Sequence, residues 1–446
     1  QGYWSSDIMK TYEKAYRARL RELSDRIVRA QQDIRILDSI KWGAEIQNEF
    51  FNKKCKVLPK VDAAYYQKNS LAFDIAKKEE EFQTLERDIS REVGQFSSIG
   101  SIMLRMCREY QDVLRLLAAR GKPEFSALSQ ELYGSADDAF YVNAPRLKDL
   151  APIVSKALAK IKDKTCNELD EKRYDSQQAV ELLNQRLSHY FTHVDVHADA
   201  HKPREWVKIS DGIIADAAAG SEWIKIRKDA LFSERDLRIL EVHEGWVHMG
   251  TTLNGAEQPI CTFLSKAPPS AIANQEGLAI TMELFHFVSS PARIQKLTDR
   301  MIGIAMAEEG ADFLDVFNFF LQQAYSEDAS YKSSVRIFRG SLPHLGPFTK
   351  DLVYSKGFIL IYNYLRLAVK EGLVDRISLL FIGKTSLEDQ RLLAHLLEEG
   401  LIVKPHYIPH QFKDLAALSC WMCYALFFNK LDLDKLAIDY RNILRG

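Results

Sequence analysis

The sequence predicts an α+β fold that is mostly helical, with an N-terminal helical region packed on a second unit that carries a small sheet and a helix following it. Three observations carry this expectation. Apolar residues recur at spacings of three and four within about residues 7–41, the signature of an amphipathic helix, and further helix-like segments follow. Strict alternation is confined to about residues 188–230, which leaves room for only a small sheet. A chain of 446 residues that is 46% hydrophobic can bury a sizeable core. The expected division is residues 1–150 for the N-terminal helical region and 151–446 for the second unit.

Taken in order, Leu20, Leu23, Ile27, Ala30, Ile34 and Leu37 form the stripe of an amphipathic helix within about residues 7–41. Helical segments follow at about 75–95 and 99–120, after the polar, aromatic stretch 52–70. Val194 and Val196 alternate with polar residues, as does Trp223–Arg227 after Gly220, and both read as strands. The strand reading of 192–197 also disposes of a histidine stripe: on a helix His189, His193, His197 and His201 would share a face with Asp195 and Asp199. On a strand only His193, Asp195 and His197 face one way, toward solvent. Ser233 offers an N-cap to a helix with Asp236 three residues on, ending near Gly250. A second helix is expected from about Asn274, after the Pro268-Pro269 break, to Ser289-Ser290. Further helices are expected at about 301–325, 350–371 and 386–399, with a last one after 410 that buries Cys420 and Cys423 in an apolar core.

The charge balance excludes several functions. With 60 Lys+Arg against 61 Asp+Glu the net charge is −1, which provides no global positive field for nucleic acid. No run approaches the roughly 18 apolar residues that span a bilayer, so no membrane partner is expected. Six sparse cysteines suit a reducing compartment, and a cytoplasmic location is the expectation, although the chain starts Gln1-Gly2-Tyr3 without Met. Gly383-Lys384-Thr385 resembles the end of a phosphate loop, but Ser378 stands where the first glycine is required. Cys420-Trp-Met-Cys423 lacks the second ligand pair of a zinc knuckle.

The chemistry concentrates in His243-Glu244-Gly245-Trp246-Val247-His248. Two imidazoles and a carboxylate converging at about 2 Å make a zinc site, and a glutamate next to the first histidine can act as base toward a water there. The spacing is HExxxH rather than HExxH. On an ideal α-helix an i,i+5 pair lies about 140° apart, so a regular helix cannot bring both rings to one ion. A π-bulge, or local unwinding eased by Gly245, is therefore expected. For the third ligand, Glu276 opens Glu-Gly-Leu-Ala, where Gly277 would allow close backbone approach. Glu283 lies on nearly the same face, and Glu257 and His286 are in range; periodicity does not choose among them.

Six motifs in order, HEGWVH (243–248), LNGAEQP (253–259), QEGLA (275–279), RIFRG (336–340), FTKDLVY (348–354) and GKTSLED (383–389), resemble the QEGLA-motif family of bacterial proteins. That family is labelled for flavohaemoglobin expression modulation and is similar to the microtubule-associated tyrosine carboxypeptidases, which are HExxxH zinc metallopeptidases. The resemblance implies one zinc per chain held by His243, His248 and Glu276, with Glu244 as catalytic base. The chain departs from the family in one place: Trp246-Val247 fills a motif interior that commonly has a small residue before the second histidine.

Arg336 and Arg339 stand three apart, one face if helical, and a guanidinium pair suits capture of a carboxylate. Lys350 and Tyr354 stand four apart after a Thr349 cap, so that Lys350 could reinforce that binding and the Tyr354 hydroxyl could donate to an oxyanion. The strand Glu222–Arg227 could pair with an extended peptide. The expected activity is that of a zinc metallopeptidase of carboxypeptidase type acting on peptide or protein C-termini. The alternatives are a regulatory metal-binding protein and a non-peptide metallohydrolase. Oligomeric state is not legible.

Overall fold

The computed structural model describes residues 6–192, 204–210, 213, 216–220 and 223–445. Its first helix, α1 (Ser6–Gln31), buries Leu20, Leu23, Ile27 and Ala30 completely. The stripe stops there: Ile36–Ser39 is a separate turn and Leu37 is largely exposed. Asp74 caps α2 (Ile75–Glu92) and Ser97 caps α3 (Ser98–Ala118), each accepting a hydrogen bond from a backbone N–H three residues on. Phe82 of α2 stacks on Tyr110 of α3 with centroids 5.5 Å apart. The apolar cluster that α1–α3 build continues into Phe263, Leu264, Leu379, Leu393 and Leu396, so the core crosses residue 150 without a break.

Next come α4 (Ser176–Tyr190) and a three-stranded sheet of β1 (Val207–Ser210), β2 (Ala217–Ala219) and β3 (Ile224–Arg227). The order is β1-β3-β2, with β1 parallel to β3 (Val207 opposite Ile224) and β2 antiparallel to it (Ala217 opposite Ile226). Alternation places Ile224 and Ile226 in the core, as the sequence predicts. The peptide-pairing role expected of this strand fails, however. Both edges of β3 are occupied by β1 and β2, leaving it no free backbone groups to offer a substrate. The strand expected around Val194 and Val196, the residues His193, Asp195, His197, Asp199 and His201, and Glu222 lie outside the described residues. His189 ends α4 on an exposed face.

The active-site helix, α5, is continuous through Glu234–Leu240, the π-helical Glu241–Met249 and Gly250–Ala256. Ser233 and Asp236 form the predicted capping box, but Gly250 continues the helix instead of ending it. The following α6 (Pro269–Phe285) starts five residues before the expected Asn274, because proline at the first helical position initiates a helix as readily as it breaks one. The segment expected as one helix at 301–325 divides into α7 (Pro291–Glu308) and α8 (Phe313–Gln322), separated where Gly310 adopts φ +105°. Then follow α9 (Glu327–Phe338), α10 (Val353–Lys370) and α11 (Leu415–Phe428).

Two corrections bear on packing. A Cβ at Gly277 would stand 2.2 Å from the carbonyl carbon of Gly357, and a Cβ at Gly357 would stand 2.0 Å from the carbonyl oxygen of Ala273. Gly277 therefore serves the backbone contact of α6 with α10, not a backbone approach to a metal. And α11 is helical but not a buried core: Leu418, Met422 and Ala425 face inward, whereas Trp421 is 61% exposed, Tyr424 is 66% exposed and both cysteines face solvent. No described helix is long and apolar enough to cross a membrane.

Because backbone atoms on α6 and α10 cannot move aside as a side chain can, Gly277→Ala is expected to destabilise the protein by about 1–3 kcal/mol or more, as overpacking does. Denaturant unfolding of the variant beside wild type measures it.

Candidate metal centre

A π-turn bonds residue i to residue i+5, which stacks His243 over His248 where an α-turn would splay them. The two rings lie 4.9 Å apart, centroid to centroid, at 81°. Gly245 has a different duty from the one the spacing suggested. A Cβ there would stand 2.4 Å from Cδ2 of Leu187, so the glycine admits α4 against α5. Trp246 is drawn off to the far side, stacked on Tyr190 at 5.0 Å with its edge toward His286 and His410. The departure from the family pattern therefore contributes to packing.

From α6, Glu276 places Oε2 3.2 Å from His243 Nε2 and 3.4 Å from His248 Nε2. Donor atoms about 2 Å from a tetrahedral ion are separated by roughly 3.4 Å, so these spacings fit one zinc ion. His243, His248 and Glu276 are also the one group among the described residues whose His, Cys, Asp or Glu ligand atoms could hold a metal, all within 4.8 Å of one another. Glu244 brings a carboxylate oxygen to 3.9 Å from His243 Nε2, beside this position and partly buried.

The structure separates the residues that periodicity left equal. Glu283, seven residues after Glu276, faces the other nitrogen of the same ring: its Oε1 is 2.6 Å from His243 Nδ1. Glu283 in turn accepts a hydrogen bond from Arg293 Nη2 at 3.0 Å and is wholly buried. It is placed as an orienting carboxylate, which fixes the ring and leaves Nε2 facing Glu276. Glu257 is exposed at the end of α5, and His286 bonds Gln411 through Nδ1 at 2.6 Å.

The charges are arranged for a cation. Burial pulls the His243 imidazole down, but hydrogen bonds to Glu276 and Glu283 and the charge of Glu244 push it up to about 10. Burial raises Glu276, yet the charge of His248 and the bond from His243 hold it well below the usual carboxylate range. For Glu283 burial acts upward and Arg293 and His243 bring it down to about 2. Both carboxylates are thus anionic at neutral pH.

The three predicted cations have different circumstances. α9 ends at Phe338, so Arg339 leaves the helix in an extended conformation and does not share a helical face with Arg336. Arg336 spends its fork on Asp351, with Nε 2.7 Å from Oδ2 and Nη2 3.0 Å from Oδ1. Arg339, 3% exposed, has Nε and Nη2 without a hydrogen-bond partner among the described residues. Lys350 lies on the 3₁₀ turn Thr349–Leu352, and Thr349 is not its cap but binds Ser129. Burial lowers the Lys350 ammonium against the pull of Glu276. Tyr354 has its ring 6.4 Å from that of His243 and its hydroxyl on Arg336; burial and the charge of Glu276 keep it protonated.

A sequence model of one family, described as microtubule-associated tyrosine carboxypeptidase, matches residues 48–430. The chain belongs to that family. Membership of the microtubule-associated tyrosine carboxypeptidases gives it a carboxypeptidase-like fold and places it among peptidase-type enzymes. No curated protein matches the chain. Several residues around this family's centre escaped the sequence reading: Glu283 in its orienting role, Arg293, Asp351, Arg300 with Nη1 3.8 Å from Asp351, and Lys384. Lys384 stands in GKTSLED, which the sequence reading uses for the family resemblance and rejects as a phosphate loop, with no role assigned to the lysine.

Replacing His243, His248 or Glu276 by Ala is expected to abolish stoichiometric zinc. Glu283→Ala should weaken binding by about 10–100-fold, because an orienting partner tunes a ligand without replacing it. Metal analysis and chelator competition on the purified variants distinguish the two classes.

Proposed function

We propose that the chain is a zinc-dependent carboxypeptidase that removes a residue from peptide or protein C-termini. The observation that carries this reading is the juxtaposition of His243, His248 and Glu276 with Glu244 beside them, in a chain that also buries the Arg339 guanidinium with Nε and Nη2 unpartnered among the described residues. Zinc held by these three residues would polarise a scissile carbonyl and lower the pKa of water at the site. Glu244 accepts a proton from the attacking water and returns it to the leaving amine. Arg339 receives the terminal carboxylate, since Arg336 is already engaged by Asp351; Lys350 adds positive charge. Tyr354, kept protonated, donates to the developing oxyanion.

Glu244→Gln is expected to keep fold and zinc while losing hydrolysis by about 10²–10⁴-fold, because Gln is nearly isosteric but cannot take the proton. Peptide profiling of the zinc form beside this variant tests it. No turnover of any peptide by wild type would favour a regulatory metal-binding protein or a non-peptide hydrolase.

The two arginines should also separate. Arg339→Met is expected to lower kcat/KM for free-acid peptides by roughly 10²-fold or more and to remove the preference over matched amides, with little change in stability. Arg336→Met should cost about 3–5 kcal/mol of stability by leaving buried Asp351 without its hydrogen-bonded partner, with only Arg300 3.8 Å away. Equal cleavage of acid and amide peptides by wild type, at internal bonds, would make the enzyme an endopeptidase.

A further inference from the structure

The two histidines are oriented by different means. His243 has a carboxylate on Nδ1, which can only accept and so dictates an Nδ1–H proton. His248 instead has Gln275 there, with Oε1 3.5 Å from Nδ1. A glutamine amide can turn either its oxygen or its nitrogen toward an imidazole, and each choice selects the opposite tautomer. Something must hold the amide one way around.

Thr251 cannot do so. Its hydroxyl lies 2.8 Å from Gln275 Oε1 and 2.7 Å from the carbonyl of Val247, and a hydroxyl can donate or accept. Two neighbours are one-way, and both come from Gly383-Lys384. Lys384 Nζ lies 2.9 Å from Gln275 Oε1 and also donates to the carbonyl oxygen of His248 at 2.7 Å. The Gly383 carbonyl accepts from Gln275 Nε2 at 3.4 Å. An ammonium between two carbonyl oxygens can only donate to both, and the Gly383 carbonyl opposite the amide can only accept and so demands its N–H. Reversing the amide would set N–H against ammonium and oxygen against oxygen. The dipeptide is itself held close: the Lys384 N–H bonds the Leu264 carbonyl at 2.6 Å, and a Cβ at Gly383 would stand 2.5 Å from that oxygen.

We propose that Lys384 and the Gly383 carbonyl, acting through Gln275, hold His248 in the Nδ1–H tautomer and so present Nε2 as the metal ligand. Lys384 is a positioning residue in this role, and the proposal rests on the metal-centre reading above. It assigns the GKTSLED segment a function in preparing the second histidine, parallel to that of Glu283 and Arg293 for the first.

The test uses the full chain labelled with ¹⁵N in histidine, with and without zinc, and long-range ¹H–¹⁵N spectra that show which ring nitrogen carries the proton. His248→Ala provides the assignment. Wild type should show His248 protonated on Nδ1, with Nε2 shifted on adding zinc. Lys384→Met should mix the two tautomers and weaken zinc by about 10–100-fold in chelator competition, and Lys384→Arg should restore both toward wild type. An Nε2–H tautomer in wild type would overturn the proposal without recourse to any variant. So would a folded Lys384→Met that retains both wild-type tautomer and zinc affinity. Wild type that shows Nδ1–H yet binds no zinc would refute the metal reading and uphold the tautomer assignment.

Discussion

The π-turn over Glu241–Met249 is the constraint on which the centre depends. It inserts about one residue per turn relative to an α-helix, and this alone turns an i,i+5 histidine pair from divergent into adjacent, edge to face. Such a turn loses part of the regular hydrogen-bond ladder, and the surrounding structure offsets this. Thr251 and Thr252 bond the carbonyls of Val247 and His248, Lys384 bonds His248 as well, and Val242, Val247 and Met249 are buried on the core side. The irregular helix is therefore held both by its own threonines and by Lys384 from a distant segment, in keeping with the concentration of π-turns at functional sites.

A second constraint sets the third ligand. Glu276 reaches the histidines because α6 presses onto α10 at Gly277 and Gly357, where the helices meet backbone to backbone. The glycine next to the carboxylate thus governs its position through packing. The same crossing places Tyr354 at the start of α10, and Lys350 on the turn just before it, near enough to Glu276 to feel its charge. One close contact between helices thereby aligns the candidate metal ligand with the groups proposed to bind substrate.

Around these elements the buried charges are graded by commitment. Glu283 is paired with His243 and Arg293, and Asp351 with Arg336, so each satisfies a neighbour and fixes it. Arg339 is buried without such a partner among the described residues. Burying an uncommitted guanidinium is unfavourable unless an anion repays it, which is the physical reason to assign the substrate carboxylate there rather than to Arg336.

Much of this architecture was legible in the sequence. Spacings of three and four located α1, the Ser233 capping box located the start of α5, and alternation located β3. The i,i+5 spacing of His243 and His248 required an irregular helix, because helical geometry permits no other convergence. Those inferences succeed because they depend on local chain geometry, which periodicity and capping encode directly. The rest depended on contacts between distant segments. Glu276 and Glu283 share nearly one face of α6, and only the position of α5 shows that one faces Nε2 and the other Nδ1 of the same ring. That Arg336 is engaged while Arg339 is not follows from Asp351, on a different element. That Lys384 reaches Gln275 and His248 follows from a loop more than a hundred residues away in sequence. The residue types specified what chemistry was possible; the tertiary structure decided which nitrogen, which carboxylate and which guanidinium perform it, since side-chain partnership across the fold leaves no local periodic trace.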